Sequence, residues 1–194
     1  MTSVSRETEQ LSAYAALLRK WNPAINLVAA GTLDQIETRH IADALQLARL
    51  STPATGTWAD LGAGGGLPGL VIAIARPDTP IWLIESDQRK AAFLRNAIRE
   101  LSLKNAEVLC KRIESADRLN TANISARALA PLPQLMAYVE RHLAPQGRAW
   151  LMKGRNWQNE VADARKSWDF DVKAHQSSTD PDAAILEITG IRHV

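Results

Sequence analysis

The ten residues 60–69, Asp-Leu-Gly-Ala-Gly-Gly-Gly-Leu-Pro-Gly, constrain the fold of this chain more than any other stretch. They follow a short apolar run at residues 58–61 and lead into a helical stretch at 67–75, with Pro68 at a first-turn position and Pro77 beyond its end. A glycine cluster between strand and helix allows a tight turn and lets a ligand lie against bare backbone. The N–H groups that open the following helix can meet a carboxylate or a phosphate. A turn of this kind belongs to a sheet whose strands alternate with helices.

The rest of the chain keeps that rhythm. Leu11, Tyr14, Leu17, Leu18 and Trp21 form one apolar stripe at helical spacing, and Asn22-Pro23 is expected to end that helix. Thr32 and Gln35 suggest a capping box for a second helix that carries Ile36, Ile41, Ala44, Leu45 and Ala48. A loop is expected at 51–57. Beyond the glycine turn the pattern predicts strands at 81–85, 107–110, 124–126 and 148–153. Helices are predicted at 87–101, 131–143 and 156–167. Two closing strands, at 170–174 and 184–189, have no long helix between them and should form a hairpin, with one strand antiparallel to the rest. The expectation is an α/β fold: a Rossmann-like, mostly parallel sheet with a C-terminal antiparallel hairpin. It forms one domain over 1–194, with an N-terminal helical cap at 1–56 beside the carboxyl edge of a sheet built from 57–194.

Composition narrows the classes. No apolar run approaches the ~20 residues that a membrane span needs, and the polar start shows no signal-peptide core. Cys110 is the single cysteine, so no internal disulfide can form, and the end of a buried strand makes it a core residue. A cytoplasmic setting fits. The net charge of +2 is unevenly spread: residues 88–139 hold nine Lys/Arg against four Asp/Glu. That segment could attract a polyanion, although helix surfaces also carry such charge for solubility.

Two cofactor readings fit the turn. Asp60, at the strand end, suits the amino group of a methionyl sulfonium donor and would repel a pyrophosphate. Glu85, at the end of the next strand, can accept both ribose hydroxyls. Gly64, Gly66 and Gly69 also match the dinucleotide fingerprint, with Glu85 at the expected distance. The chain beyond the turn holds one sheet and no room for a separate substrate domain, which favours the methyl donor. For the acceptor, residues 125–128 (Ser-Ala-Arg-Ala) lack the Pro-Pro motif of amine methylation, and Cys110 lacks a Pro-Cys setting for carbon methylation. Guanine N7 carries a lone pair and no proton, so its methylation needs no general base. His40 reads from spacing as an ordinary cap histidine. No metal spacing, Ser-His-Asp signature or Walker loop is present.

Taken in order, a set of residues resembles a known family. It comprises Trp21-Asn22 with Asn26-Leu27, Arg39-His40 with Asp43, the glycine turn, and Leu83-Ile84-Glu85-Ser86 with Arg89-Lys90 and Phe93-Leu94. Arg112-Ile113-Glu114, Ser125 with Arg127-Ala128, and Lys153-Gly154 complete it. The chain resembles, over nearly its whole length, the bacterial small-subunit rRNA guanine-N7 methyltransferases, also called the glucose-inhibited division protein B family. The resemblance implies an enzyme that uses S-adenosyl-L-methionine to methylate a guanine in the 530 loop of 16S rRNA (position 527 in rRNA numbering). It implies that Gly62, Gly64, Gly66 and Leu67 line the methionine and ribose, with Glu85 at the ribose and Ile113 and Glu114 at the adenine. Asp60 completes the donor-binding set. Arg127 would lie near both donor and acceptor. Lys153, Asn26, Arg39 and His40 would serve the acceptor, with catalytic roles at Arg127, Lys153 and His40. The implied partner is 16S rRNA or the small ribosomal subunit, for a monomer without a metal. Two departures are visible: Glu85 where the family more often has Asp, and a short N-terminus. A methyltransferase for another acceptor and a non-enzymatic RNA-binding module are the rival readings.

Overall fold

The computed structural model describes residues 3–51 and 55–194. Residues 52–54 of the expected 51–57 loop, and the first two residues of the chain, lie outside that set. Seven strands form one sheet: β1 (Trp58–Leu61), β2 (Ile81–Ile84), β3 (Ala106–Leu109), β4 (Thr121–Arg127), β5 (Leu143–Lys153), β6 (Trp168–Gln176) and β7 (Ala184–His193). Their order is β3-β2-β1-β4-β5-β7-β6. β1 to β5 pair in parallel, and β7 runs antiparallel between β5 and β6. The expected sheet, mostly parallel with a closing antiparallel hairpin, is the one observed. The hairpin strands are longer than the sequence suggests, because β6 continues into half-exposed residues where apolar alternation fades.

Each buried strand feeds two cores. In β1, all four residues are buried; Trp58 faces one core while Ala59 and Leu61 face the other. The first core lies under α1 (Ser3–Ile25), α2 (Ala42–Leu50), α3 (Gly69–Ala75) and α4 (Gln88–Glu100). The second lies under α5 (Leu132–His142) and α6 (Trp157–Ala164). Tyr14, Leu18, Ile36, Ala44 and Leu47 are at most 1% exposed and belong to the first core. The N-terminal helices therefore pack over one face of the sheet, rather than only beside its edge.

Four local expectations change. α1 runs through Pro23 and ends at Ile25. Proline in a last turn sacrifices one N–H bond, and the stop comes instead at Asn26, whose left-handed φ of 49° closes the helix with its N–H on Asn22 O at 3.0 Å. The capping box at Thr32 does not form. Residues Ala30–Gln35 make a 3-10 helix, and the Thr32 hydroxyl donates back to Ala29 O at 2.9 Å. Residues Ile36–Ile41 form a π-helix before α2 begins. Cys110 follows edge strand β3 and is half-exposed, not core.

Successive strands β1, β2 and β3 step one way from the centre, and β4 returns to the other side of β1. That reversal opens a crevice at the carboxyl ends of β1 and β4, where such sheets receive ligands.

Candidate active site

The glycine turn begins where β1 stops, and it is tied down from three sides. Glu85, just past β2, accepts from Gly64 N at 2.8 Å through Oε2 and from Asp87 N at 2.8 Å through Oε1. Tyr14, completely buried in α1, donates its hydroxyl to Gly65 O at 2.5 Å. Asp60 Oδ2 accepts from Gly69 N at 3.0 Å, and Oδ1 accepts from the Ser125 hydroxyl at 2.7 Å. Ser125 sits opposite Asp60 in register and itself accepts from Trp58 Nε1 at 2.9 Å. Gly64 shows why the turn needs glycine: its φ is 53°, and a Cβ there would find nothing nearer than Gly62 O at 3.7 Å. The backbone is bare and the space beside it is clear.

Asp60 is therefore a strut beneath the turn. It is 1% exposed, and both carboxylate oxygens are engaged by the protein. Burial pushes its carboxyl up to about 7, with the bonds from Ser125 and Gly69 and the charge of Arg127 opposing and Glu85 adding. A carboxyl whose folded value is raised holds more protons folded than unfolded, so its contribution to stability is complete below pH ~4 and is lost as the pH rises through ~7. Asp60→Asn should remove that decline. Urea midpoints of the two proteins, measured from pH 4 to pH 8, should diverge in slope across this window. Parallel curves would refute the assignment.

Beside the turn lies a recess of about 370 Å³. Gly62, Gly64, Leu67, Glu85, Ile113 and Glu114 are among the residues that line it, and Tyr138, also in the lining, donates to Glu114 Oε1 at 3.3 Å. His142 donates from Nε2 to Ile113 O at 2.9 Å and so holds that residue in place; its ring is fully buried, and burial holds its pKa down. Lys90, Lys111 and Arg112 also line this recess, so part of the basic middle segment reaches the site.

A second recess, of about 430 Å³, adjoins the first. Leu27, Arg127 and Ala128 line both. Its other walls are Thr32, Arg39, His40 and Asp43 from the N-terminal segment, Met152 and Lys153 from the end of β5, and Asp180 from the β6–β7 loop. That loop is fastened to α2. Asp43 Oδ1 accepts from the hydroxyls of Ser177 at 3.0 Å and Thr179 at 2.6 Å, Gln46 accepts from Ser178 N at 2.8 Å, and Arg39 pairs with Asp180 at 3.3 Å. Arg127 ends β4 and places its Nη1 at 2.8 Å from His40 Nδ1; burial pulls the arginine's pKa down. Lys153, 8% exposed in its side chain, pairs with Glu160 at 2.6 Å and donates to Ala130 O at 2.9 Å, while Glu160 also accepts from Leu132 N at 2.8 Å. Lys153 thus braces the segment that follows Arg127.

The structure brings together most residues singled out from the sequence. Gly62, Gly64, Leu67, Glu85, Ile113, Glu114 and Arg127 line the first recess; Arg39, His40, Lys153 and again Arg127 line the second. Asp60 and Gly66 stand behind the turn, Gly66 packed toward Leu70 and Tyr14. Asn26 is an exposed left-handed helix end outside both linings. Reading by sequence missed Tyr14, taken only as part of an apolar stripe, and Thr32, taken as a cap. Asp43 was part of the resemblance but was given no role, and Asp180, which also lines the second recess, lies in a polar loop with no sequence signal.

Comparison with known proteins adds an independent line. Residues 7–186 match the family model GidB, described as rRNA small subunit methyltransferase G. A ribosomal RNA small subunit methyltransferase G of Paracoccus denitrificans is 72% identical over 191 residues, covering 98% of this chain and 99% of the relative. Its counterpart in Ruegeria sp. strain TM1040 is 50% identical, covering 98% and 95%. In fold, the chain is similar to the crystal structure of the glycopeptide N-methyltransferase MtfA complexed with sinefungin. The TM-score is 0.65 at 12% identity, over 77% of this chain and 93% of that one.

Proposed function

Because the chain belongs to the GidB family of rRNA small subunit methyltransferases, we propose that it transfers a methyl group from S-adenosylmethionine to N7 of a guanine in the 530 loop of 16S rRNA. The observation that carries this reading is the meeting of the two recesses at Arg127. One recess has the size and polarity of a nucleoside cofactor site, and the other admits a flat base. The partner is 16S rRNA or the small ribosomal subunit, in the cytoplasm.

The first recess fits the donor. The space cleared beside Gly64, the Glu85 carboxylate and the Ile113–Glu114 pair, all in one lining, together suit a methionyl chain, a ribose and an adenine. S-adenosylmethionine supplies a methyl group on a positively charged sulfur, and the sulfur keeps the bonding electron pair when the methyl leaves. The rest falls to the protein. Alignment of acceptor with methyl supplies the larger part of the rate. Arg127 has one N–H on His40 and further donors to offer at the junction. Guanidinium donors match guanine O6; a donor placed on N7 itself would block the reaction. Guanine N7 has no proton to remove, which agrees with a second recess whose histidine and lysine are already engaged by protein partners. Transfer moves one positive charge from the sulfur to the purine, and the carboxylates of Asp43 and Asp180 line the recess that receives it.

The test is direct. 16S rRNA from cells lacking this protein, naked and as assembled small subunits, is incubated with the purified enzyme and labelled donor. Label should appear at one guanine in the 530 loop, and chemical cleavage specific for N7-methylguanine should fall there. Label on another atom or another molecule would support the rival acceptor reading. Saturable RNA binding without any transfer would support the non-enzymatic one.

A further inference from the structure

We propose that His40 is a positioning residue, a neutral hydrogen-bond acceptor that holds Arg127 through a one-way relay ending at Ala29, and that it does not act on the base itself. The inference rests on the reading of the second recess as the acceptor site. It follows from which atoms can donate. A guanidinium has only donors, so the 2.8 Å contact between Arg127 Nη1 and His40 Nδ1 requires a bare Nδ1. The ring proton must then be on Nε2, which lies 2.7 Å from Thr32 Oγ1. The Thr32 hydroxyl sends its own proton to Ala29 O at 2.9 Å. Every donor in the chain Arg127, His40, Thr32 points the same way, and each acceptor is matched.

The consequences run in one direction. Protonation of Nδ1 would set N–H against N–H and cation against cation, and Arg127 would lose its anchor. The surroundings guard against that. Burial, with Arg127 and Arg39 close by, lowers the His40 pKa to about 4, and Asp43 opposes. Arg127 itself leaves β4 just before Ala128 turns into a left-handed φ of 50°, so its own backbone offers no continuing strand to steady the side chain. His40 and Thr32 come from the 3-10 and π-helical turns, and that irregular stretch is what brings a histidine to the mouth of β4.

The experiment combines a mutant cycle with spectroscopy. His40→Ala should lower kcat ~10–100-fold with the KM for the methyl donor nearly unchanged, because Arg127 stays but wanders. His40→Asn, whose Oδ1 sits where Nδ1 was, should restore most of that loss. In an Arg127→Ala background, His40→Ala should cost nothing further; an undiminished loss there would mean that His40 acts on the substrate directly and would overturn the proposal. Nitrogen-detected NMR of the free protein at pH 6 should show His40 neutral with its proton on Nε2, and Arg127→Ala should raise its titration midpoint. A cationic ring at pH 6, or a proton on Nδ1, would also overturn it. The NMR result needs no RNA. Wild-type protein that transferred no methyl to rRNA would therefore sink the functional reading and leave the relay to stand or fall by spectroscopy.

Discussion

Arg127→Ala is expected to lower kcat/KM for rRNA methylation by ~10²–10³-fold, about 3–4 kcal/mol, with the fold intact. The size follows from position. Arg127 lines both recesses, and its guanidinium is the charged group that the two linings share. On the proposed reading, removing it takes away the donors for the base and the partner of His40 at once. Stability should change little, since the burial cost of the cation disappears with it and water can reach the vacated recess. Arg127→Lys should recover less than a tenth of the loss. An ammonium's donors all leave one nitrogen, so they cannot span from His40 to a separately placed base atom as the spread nitrogens of a guanidinium can. Turnover of Arg127→Ala within threefold of the wild type, measured with labelled donor and 16S rRNA, would remove the residue from the mechanism.

Gly69→Ala should destabilise the protein by about 3 kcal/mol, against the usual sign of such a change at a helix start. Gly69 opens α3 directly over β1 and β2. A Cβ there would press into Leu83 Cδ2 and lie 2.6 Å from Asp60 Oδ2 and 2.9 Å from Asp60 Cβ. None of these neighbours can yield. Leu83 is fully buried, and Asp60 is held by Ser125 and by Gly69 N itself. The variant must either push α3 off the sheet or break the bond from Gly69 N to Asp60, and in both cases the glycine turn shifts with it. Urea unfolding should show a lower midpoint at an unchanged slope. Gly31→Ala is the matched control, since nothing lies within 4 Å of its missing Cβ. A Gly69→Ala midpoint at or above the wild-type value would show that the packing described at this contact is not the one that matters.

The glycine turn and Glu85 were legible because they are chemically distinctive and each follows a strand, and strands laid side by side in parallel put their carboxyl ends at one edge. Ile113 and Glu114 entered only through family resemblance. The second recess was legible only through family resemblance. Arg39-His40, Lys153 and Asp180 come from three separated segments, Asp180 carried no sequence signal at all, and local spacing alone made His40 an ordinary cap residue. Asp60 shows the limit from the other side. A carboxylate beside a glycine turn looks like a ligand for a positive group, yet whether it faces out or in depends on Ser125, 65 residues away.

Local chemistry alone decided the alternation of strand and helix, the turn at residues 60–69 and the closing hairpin. Backbone propensity and apolar periodicity act over a few residues, and these features need nothing longer. Tertiary packing decided which way each polar side chain points. It set Asp60 under the turn, Lys153 against Glu160, and His40 between Thr32 and Arg127. A buried polar atom must find its partner wherever the fold supplies one, and in this fold those partners come from distant parts of the chain.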